Sequence, residues 1–237
     1  MKMNKSILFL VLIGLLFSGC IWFSQFRHQQ KKELVVSVNF THSPSFLNDS
    51  LVNKLLTQNL TSKSRLQKDS LDLSMLENQM NKTPEIENIE IFIQPQGALS
   101  LIVTERKPLF KVASEPPFFA DKHGVLFSYK SISSTSYPEF KTSSSTVPLK
   151  TTASLIQNLK SDPFLATELE TVSLEQNQYA LKLKSFNFEV VFGAPTQVKE
   201  KINKLKVFCA FQRVQDSLSG YQKINLSYDK QVVATIF

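Results

Sequence analysis

The sequence predicts an α+β protein in which an apolar N-terminal helix precedes two units that each combine helices with a sheet. Its 237 residues are enough for one large or two small cores, and 42% hydrophobic against 20% charged content is ordinary globular usage. Segments with a helical period are interspersed with segments in which apolar and polar residues alternate. Only 6 glycines stand against 19 phenylalanines, which disfavours Gly-rich phosphate loops and favours aromatic cores.

The N-terminal segment is the most apolar part of the chain. Ile7–Phe23 is almost wholly apolar, and at about 1.5 Å per residue a helix over it spans roughly 25 Å. We predict a single transmembrane anchor at residues 6–26 after a cytoplasmic tail at residues 1–5. Two alternatives stay open: a cleaved signal peptide, and a lipoprotein signal, because Phe17-Ser18-Gly19-Cys20 is similar to a lipobox. Positive residues flank both ends, so charge does not settle the orientation.

The next part of the chain predicts a strand-helix-helix-strand-strand unit. Leu34–Phe40 is rich in β-branched residues and indicates a strand. Apolar side chains recur at helical spacing in Leu47–Leu56 and again in Leu73–Met80, with Asp72 placed to cap the second helix. Ile89–Val103 alternates on both sides of a turn and indicates a hairpin. A small sheet with two helices on one face would bury this pattern.

The remainder predicts a mixed α/β unit with an antiparallel sheet that ends in an exposed edge strand. Two short strands surround the turn Asp121–Gly124, and a Ser/Thr-rich loop follows at residues 131–145. After it we predict a helix near residues 152–160, a short helix that begins at 162–163, strands at 170–174, 179–184 and 188–192, a long helix near 195–219, and strands at 223–227 and 232–236.

No catalytic or metal-binding constellation is visible. His28, His42 and His123 are isolated in sequence, and Cys20, inside the apolar segment, is not placed to pair with Cys209. A Gly-x-Ser-x-Gly elbow and a P-loop are both missing. We therefore predict no enzymatic activity, no metal, no cofactor and no small-molecule substrate.

The basic charge is interpreted as a solvated surface. The net charge of +7 comes from 27 basic and 20 acidic residues, and the lysines are spread along the chain. A nucleic-acid-binding protein more often concentrates them with exposed aromatics on one face, so no nucleic-acid partner is predicted. The basic side of the long helix is interpreted in the same way; it consists of Lys199, Lys201, Lys204 and Lys206.

The middle of the chain resembles a known family. Leu71–Glu77, Thr83–Ile89 and Leu99–Phe110 resemble the POTRA domain of the bacterial cell-division family FtsQ/DivIB. That family ends its third strand with V-x-E-R-x-P, and here Glu105, Arg106 and Pro108 hold the last three defined positions.

The resemblance continues to the end of the chain. Asp121 and Gly124 match the family's D-x-x-G-x-x-F at the start of its β domain, and Tyr137–Phe140 is similar to an L-P-x-L turn. Val191–Gly193 and the long helix precede Ile224–Tyr228, which is similar to I-D-L-R-Y with Asn and Ser in place of Asp and Arg.

The resemblance implies a POTRA-like domain at residues 34–112 and a C-terminal β domain at residues 116–237. It implies a non-enzymatic divisome scaffold in the inner (plasma) membrane, extracytoplasmic in its bulk and enriched at the septum. Membrane-bound partners of the FtsB/FtsL kind would bind the last strand, whose predicted contact residues are Tyr228, Lys230, Gln231, Val232, Val233, Ala234, Thr235 and Ile236. The alternative is an envelope lipoprotein with a binding or transport role, anchored through Cys20.

Overall fold

The chain forms two sheets with separate hydrophobic cores. The computed structural model describes residues 5–29, 35–59, 72–95, 97–128, 137–143, 148–214 and 220–236. Within these ranges there are six α-helices and twelve strands, and the strands form one three-stranded and one nine-stranded sheet. The α+β composition expected from the sequence is therefore present.

Helix α1 (Lys5–Gln29) covers the apolar N-terminal segment, and it corrects one prediction. Among the described residues, no helix is long and apolar enough to cross a membrane, so the transmembrane anchor predicted at residues 6–26 is wrong. The reason lies in the length of the apolar run. Ile7–Phe23, with Ser18 and Gly19 inside it, covers only roughly 25 Å of a hydrocarbon core that is about 30 Å thick. Of the tail predicted at residues 1–5, all but Lys5 lies outside the described residues.

The small sheet has the strand order β1-β3-β2, with β1 parallel and β2 antiparallel to β3. Two helices pack with it in the predicted strand-helix-helix-strand-strand order. The Asp72 carboxylate accepts a hydrogen bond from Met75 N at 2.9 Å and caps the second helix, as predicted. The elements of this unit are β1 (Val36–Phe40), α2 (Asp49–Asn59), α3 (Leu73–Met80), β2 (Ile86–Ile93) and β3 (Leu99–Glu105).

The large sheet contains all the later strands. Its strands are β4 (Phe110–Val112), β5 (Phe118–Ala120), β6 (Leu126–Phe127), β7 (Glu139–Thr142), β8 (Leu169–Glu175), β9 (Gln178–Leu183), β10 (Glu189–Gly193), β11 (Tyr221–Asn225) and β12 (Val233–Ile236). Its helices are α4 (Leu149–Lys160), α5 (Pro163–Glu168) and α6 (Val198–Val214). The strand order is β12-β11-β10-β9-β8-β7-β4-β5-β6.

This sheet is mixed, which corrects the antiparallel sheet that we predicted. The pairs β4–β7, β7–β8 and β10–β11 are parallel, whereas the other pairs are antiparallel. For β7–β8 and β10–β11 the reason is the crossover helices. The helices α4 and α5 carry the chain from β7 back to the start of β8, and α6 does the same between β10 and β11, so the joined strands run in the same direction.

Several element boundaries differ from the prediction. Strand β4 pairs with β5 and β7 in the large sheet, although the first predicted unit extended to residue 112. Strand β7 lies within the loop predicted at residues 131–145, of which residues 131–136 and 144–145 lie outside the described ranges. Helix α6 is described as far as Val214, and residues 215–219 of the predicted helix lie outside the described ranges.

Aromatic rings tie α6 to the large sheet. Phe208 on α6 lies edge-to-face between Phe188 and Tyr221, with ring centroids 5.5 Å and 5.3 Å apart. Phe186 continues this row toward Phe164 on α5. Edge-to-face aromatic pairs add about 0.5–1.5 kcal/mol each beyond the burial of their surface. The row fixes α6 against the part of the sheet that leads into β11 and β12.

Candidate functional site

The predicted partner-binding strand lies at one end of the large sheet. β12 pairs antiparallel with β11, with Val233 opposite Asn225 and Ala234 opposite Ile224. Its other edge has no partner strand among the described residues. Val233 is 41% exposed and Ile236 is 68% exposed. The outer edge of β12 therefore presents backbone N–H and C=O groups that a further strand could pair with.

The segment before β12 is held at two points. The Tyr228 carbonyl accepts a hydrogen bond from Lys204 Nζ of α6 at 2.9 Å, while the Tyr228 side chain is exposed. Lys230 has φ 56°, a left-handed conformation that makes the turn into the strand, and Gln231 is exposed beside it. Val232 packs on the main core. Residues 228–231 are therefore exposed in a row, and Val232 is the side chain that anchors the start of the strand.

Gly193 sets the spacing between β10 and the chain that follows β11. Its φ of +72° favours glycine, and a Cβ at this position would lie 2.3 Å from Ser227 Oγ. Leu226 N donates to the Val191 carbonyl at 2.9 Å, so the same segment is also hydrogen-bonded to β10. The left-handed φ and the nearby Ser227 side chain both favour glycine at this position.

Lys201 does not belong to a solvated face, which corrects our interpretation of the basic side of α6. It is 4% exposed, and its Nζ donates to the carbonyls of Phe192 at 3.0 Å and Ala194 at 2.7 Å. The ammonium also lies 4.9 Å from the centroid of the Phe192 ring. Burial, and to a lesser extent the nearby Lys204, lower the pKa of Lys201. This lysine holds α6 to the end of β10.

Glu105, at the end of β3, is a structural carboxylate. Its two oxygens accept backbone N–H bonds from Ser45 at 2.7 Å, Phe46 at 2.8 Å and Leu47 at 2.6 Å. These donors precede α2 and would otherwise have to be satisfied by water. The carboxylate therefore fixes the chain that enters α2 against the end of the central strand.

Arg106 and Asp121 join the two sheets. Arg106 is 8% exposed and donates to the carbonyls of Pro84 at 2.6 Å and Ile86 at 2.8 Å at the start of β2. The same guanidinium is ion-paired with Asp121, which is 1% exposed. Asp121 Oδ1 in turn accepts from His123 N at 2.9 Å and Val125 N at 2.8 Å. A buried ion pair with these extra hydrogen bonds keeps both charges satisfied.

Two other residues of the family pattern complete this junction. Pro108 is half-buried between β3 and β4. Gly124 has φ +78°, and a Cβ there would lie 2.7 Å from the backbone carbon of Leu149. Together with Glu105, Arg106 and Asp121, these residues shape the connection between the sheets and offer no reactive group to solvent.

The described residues contain no group of three or more His, Cys, Asp or Glu side chains that could hold a metal ion. Cys209 is buried in the core, and burial raises the pKa of its thiol to about 12. The thiol therefore stays protonated at neutral pH and is a poor nucleophile. Cys20 is exposed on α1.

These observations define the class of the protein: an α+β chain of two sheets joined by a buried ion pair, in which the outer edge of β12 has no partner strand among the described residues. A family model described as "FtsQ/DivIB, C-terminal related" matches residues 107–235, which is just over half of the chain. The chain belongs to this family, and a role in cell division follows from the membership. No curated protein sequence matches it. The matched segment begins next to Arg106 and contains Asp121, Gly124 and most of β12.

Proposed function

We propose that this protein is a non-enzymatic scaffold of the division septum that captures partner proteins of the FtsB/FtsL kind through the outer edge of β12. The observation that supports this proposal is the open edge of a terminal strand in a chain of the FtsQ/DivIB family. Strand addition needs no reactive side chain, because the affinity comes from backbone hydrogen bonds.

The side chains of β12 would supply specificity. Successive side chains of a strand point to opposite faces of the sheet, so Val233 and Thr235 share one face while Ala234 and Ile236 share the other. The exposure of Val233 and Ile236 gives a partner strand an apolar contact on each face. Tyr228 and the turn at Lys230 and Gln231 lie at the entrance to the strand and extend the contact surface.

The unit that contains β1, β2 and β3 would be a POTRA-like recruitment module, and the unit that contains the large sheet would be the β domain that carries the partner-binding edge. The Arg106–Asp121 ion pair supports a fixed arrangement of the two, because it connects β2 with the turn after β5. A scaffold with two fixed surfaces can hold two partners at a set distance, which raises their effective concentration for each other.

A matched pair of substitutions tests the proposal. Val233 on β12 and Phe92 on β2 are both 41% exposed strand residues, so Val233→Glu and Phe92→Glu introduce the same charge at equal exposure. Val233→Glu is expected to weaken binding of a purified FtsB/FtsL-like partner to the full chain at least tenfold. Phe92→Glu is expected to leave the affinity within about twofold.

Ala234→Glu, on the other face of β12, provides a second variant and is expected to weaken binding as well. Fluorescent fusions of the same variants should show midcell enrichment for the wild type and the Phe92 variant, and reduced enrichment for the β12 variants. Equal affinity of all four proteins for the partner would remove β12 from the binding site. A diffuse wild-type signal in dividing cells would argue against the septal role itself.

A further inference from the structure

The outer edge of β2 in the small sheet is bonded to side chains of α3 and its C-cap. Ile89 N donates to Asn81 Oδ1 at 3.1 Å, and Ile91 N donates to Glu77 Oε1 at 2.6 Å. Both N–H groups point away from β3, because alternate residues of an antiparallel edge strand direct their backbone groups outward. Two of the donors that an added strand would need are therefore already bonded within the chain.

The spacing of the two acceptors matches the spacing of the two donors. Asn81 caps α3 in a helical conformation, with φ −65° and ψ −15°, so its side chain and that of Glu77 lie four residues apart on one face of the helix. Four residues of a helix rise about 6 Å, and two residues of a strand span about 6.8 Å. Since α3 runs antiparallel to β2, Glu77 meets Ile91 and Asn81 meets Ile89.

The chemistry of the two side chains suits this position. A carboxylate and an amide oxygen both accept hydrogen bonds from backbone N–H groups, and bonds to a carboxylate are the shorter and stronger kind. Glu77 is half-buried and Ile91 is 4% exposed, so water competes little for the bond between them. An incoming strand would have to break both bonds before its carbonyls could reach the same donors.

Without these bonds, β2 would be a favourable template for pairing with another chain. It is the longest of the described strands, and most of its eight residues are apolar. Phe92 is 41% exposed and Ile93 is 42% exposed. Long edge strands with exposed apolar side chains pair readily with a further strand. A second copy of the chain carries the same edge, and antiparallel pairing of two identical strands closes on a two-fold axis.

We propose that Glu77 and Asn81 form an edge lock, which keeps β2 from pairing with β2 of a second copy of the chain. With the lock closed, the small sheet ends at β2. With the lock open, the small sheets of two copies would join into one continuous sheet. The lock acts in the small sheet and does not depend on the capture of a partner at β12, so the failure of either proposal leaves the other intact.

Amide hydrogen exchange in the full-length, ¹⁵N-labelled protein tests the closed state. Glu77→Ala should speed exchange of the Ile91 amide at least tenfold and leave exchange of the Ile89 amide within about threefold of the wild type. Asn81→Ala should show the reverse pattern. Each substitution removes one acceptor and leaves the buried residues of α3 in place.

The double variant Glu77→Ala/Asn81→Ala tests what the lock prevents. Its β2 amide resonances should shift with protein concentration, and the Ile89 and Ile91 amides should regain protection in the associated form, whereas the wild type should show neither effect. The matched control is Glu77→Gln/Asn81→Asp, the acceptor-retaining variant. It keeps an acceptor oxygen at both positions and leaves the net charge unchanged, so it should behave like the wild type.

Three results would overturn the lock. The first is exchange of the wild-type Ile89 and Ile91 amides as fast as in the alanine variants. The second is a double alanine variant whose β2 resonances do not change with concentration while its β3 resonances stay native. The third is equal association of the acceptor-retaining variant and the double alanine variant. If the double alanine variant does not fold, the concentration series on the two single variants decides, and β2 resonances that do not change in either one overturn the lock.

Discussion

Arg106 serves both sheets with one side chain. Its guanidinium satisfies two backbone carbonyls of the small sheet and neutralises Asp121 of the large one. Asp121 is almost fully buried, so its charge depends on that partner and on two backbone N–H groups. Removing one member of a buried ion pair leaves the other charge uncompensated, and this is costlier than losing an exposed pair.

We therefore expect Arg106→Met to lower the free energy of unfolding by about 3–5 kcal/mol, measured by urea denaturation. Lys122→Met is the matched control, because Lys122 forms an exposed salt bridge with Glu87 at 2.8 Å beside the same turn. Its loss should cost no more than about 1 kcal/mol. Equal effects of the two substitutions would show that the buried pair has no special role in stability.

Gly193 allows a second residue-level prediction. Gly193→Ala must place a Cβ against Ser227 Oγ and hold alanine at a left-handed φ, which costs about 1–2 kcal/mol for the backbone alone. Ser227→Gly in the same chain removes the contact but not the φ strain, and should recover only part of the loss in thermal stability. Gly220→Ala, where a Cβ would meet nothing within 4 Å, should be nearly neutral. Full recovery of thermal stability by Ser227→Gly would show that the left-handed φ does not contribute to the loss.

At the scale of elements, Asp162 connects α5 with α6. Its carboxylate caps α5 by accepting from Phe164 N at 3.0 Å and also pairs with Lys206 Nζ at 2.8 Å. The hydrogen bond from Lys206, more than the backbone bonds, holds the pKa of Asp162 below its ordinary value. The unfolded chain therefore takes up this proton first as the pH falls.

The resulting stability is fully present above the unfolded pKa of about 3.9 and is lost as the pH falls through the lower folded pKa. Asp162→Asn keeps a capping side chain but loses the charge. We expect it to be less stable than the wild type at pH 7 and to lose less stability between pH 5 and about pH 3. The control is Asp229→Asn, which lies in an exposed turn. Parallel profiles of stability against pH for the wild type and Asp162→Asn would contradict this role of the Asp162 carboxylate.

Helices and strands with strong local patterns were predicted from the sequence. Elements that depend on pairing with adjacent strands were not. The cap at Asp72 and the hairpin of β2 and β3 follow from local chemistry, and both are present. Strand β7 was predicted as a loop because four residues between Ser/Thr-rich stretches carry little periodic signal. It exists because it can pair on both sides, with β4 and β8. Lys201 was placed on the surface because a charged residue is rarely buried.

At the scale of the whole molecule, the two cores are separate. The small core contains Leu101 of β3 and the large core contains Leu181 of β9, each at most 1% exposed. Cores that share few contacts can open as separate units. The Arg106–Asp121 pair and the Lys122–Glu87 salt bridge are described contacts that cross between them.

Hydrogen exchange can test this separation. Leu101→Ala removes a fully buried side chain at a cost of about 2–5 kcal/mol, and should speed amide exchange in β1–β3 while β8–β10 change little. Leu181→Ala changes the same residue type at nearly the same burial, and it should show the reverse pattern. If each variant speeds exchange equally in both sheets, the molecule unfolds as one unit.

The sequence by itself determined the α+β class, the order of most elements and the family, because these depend on local periodicity, turn chemistry and short patterns such as Glu105-Arg106-x-Pro108. Only the tertiary structure decided which strands are parallel, that Arg106 and Asp121 join two sheets, and that Lys201 is buried. These features depend on contacts between residues far apart in the chain, which no local pattern records. The length of the apolar run in α1 shows the same limit: hydropathy alone predicted a membrane span that the helix does not provide.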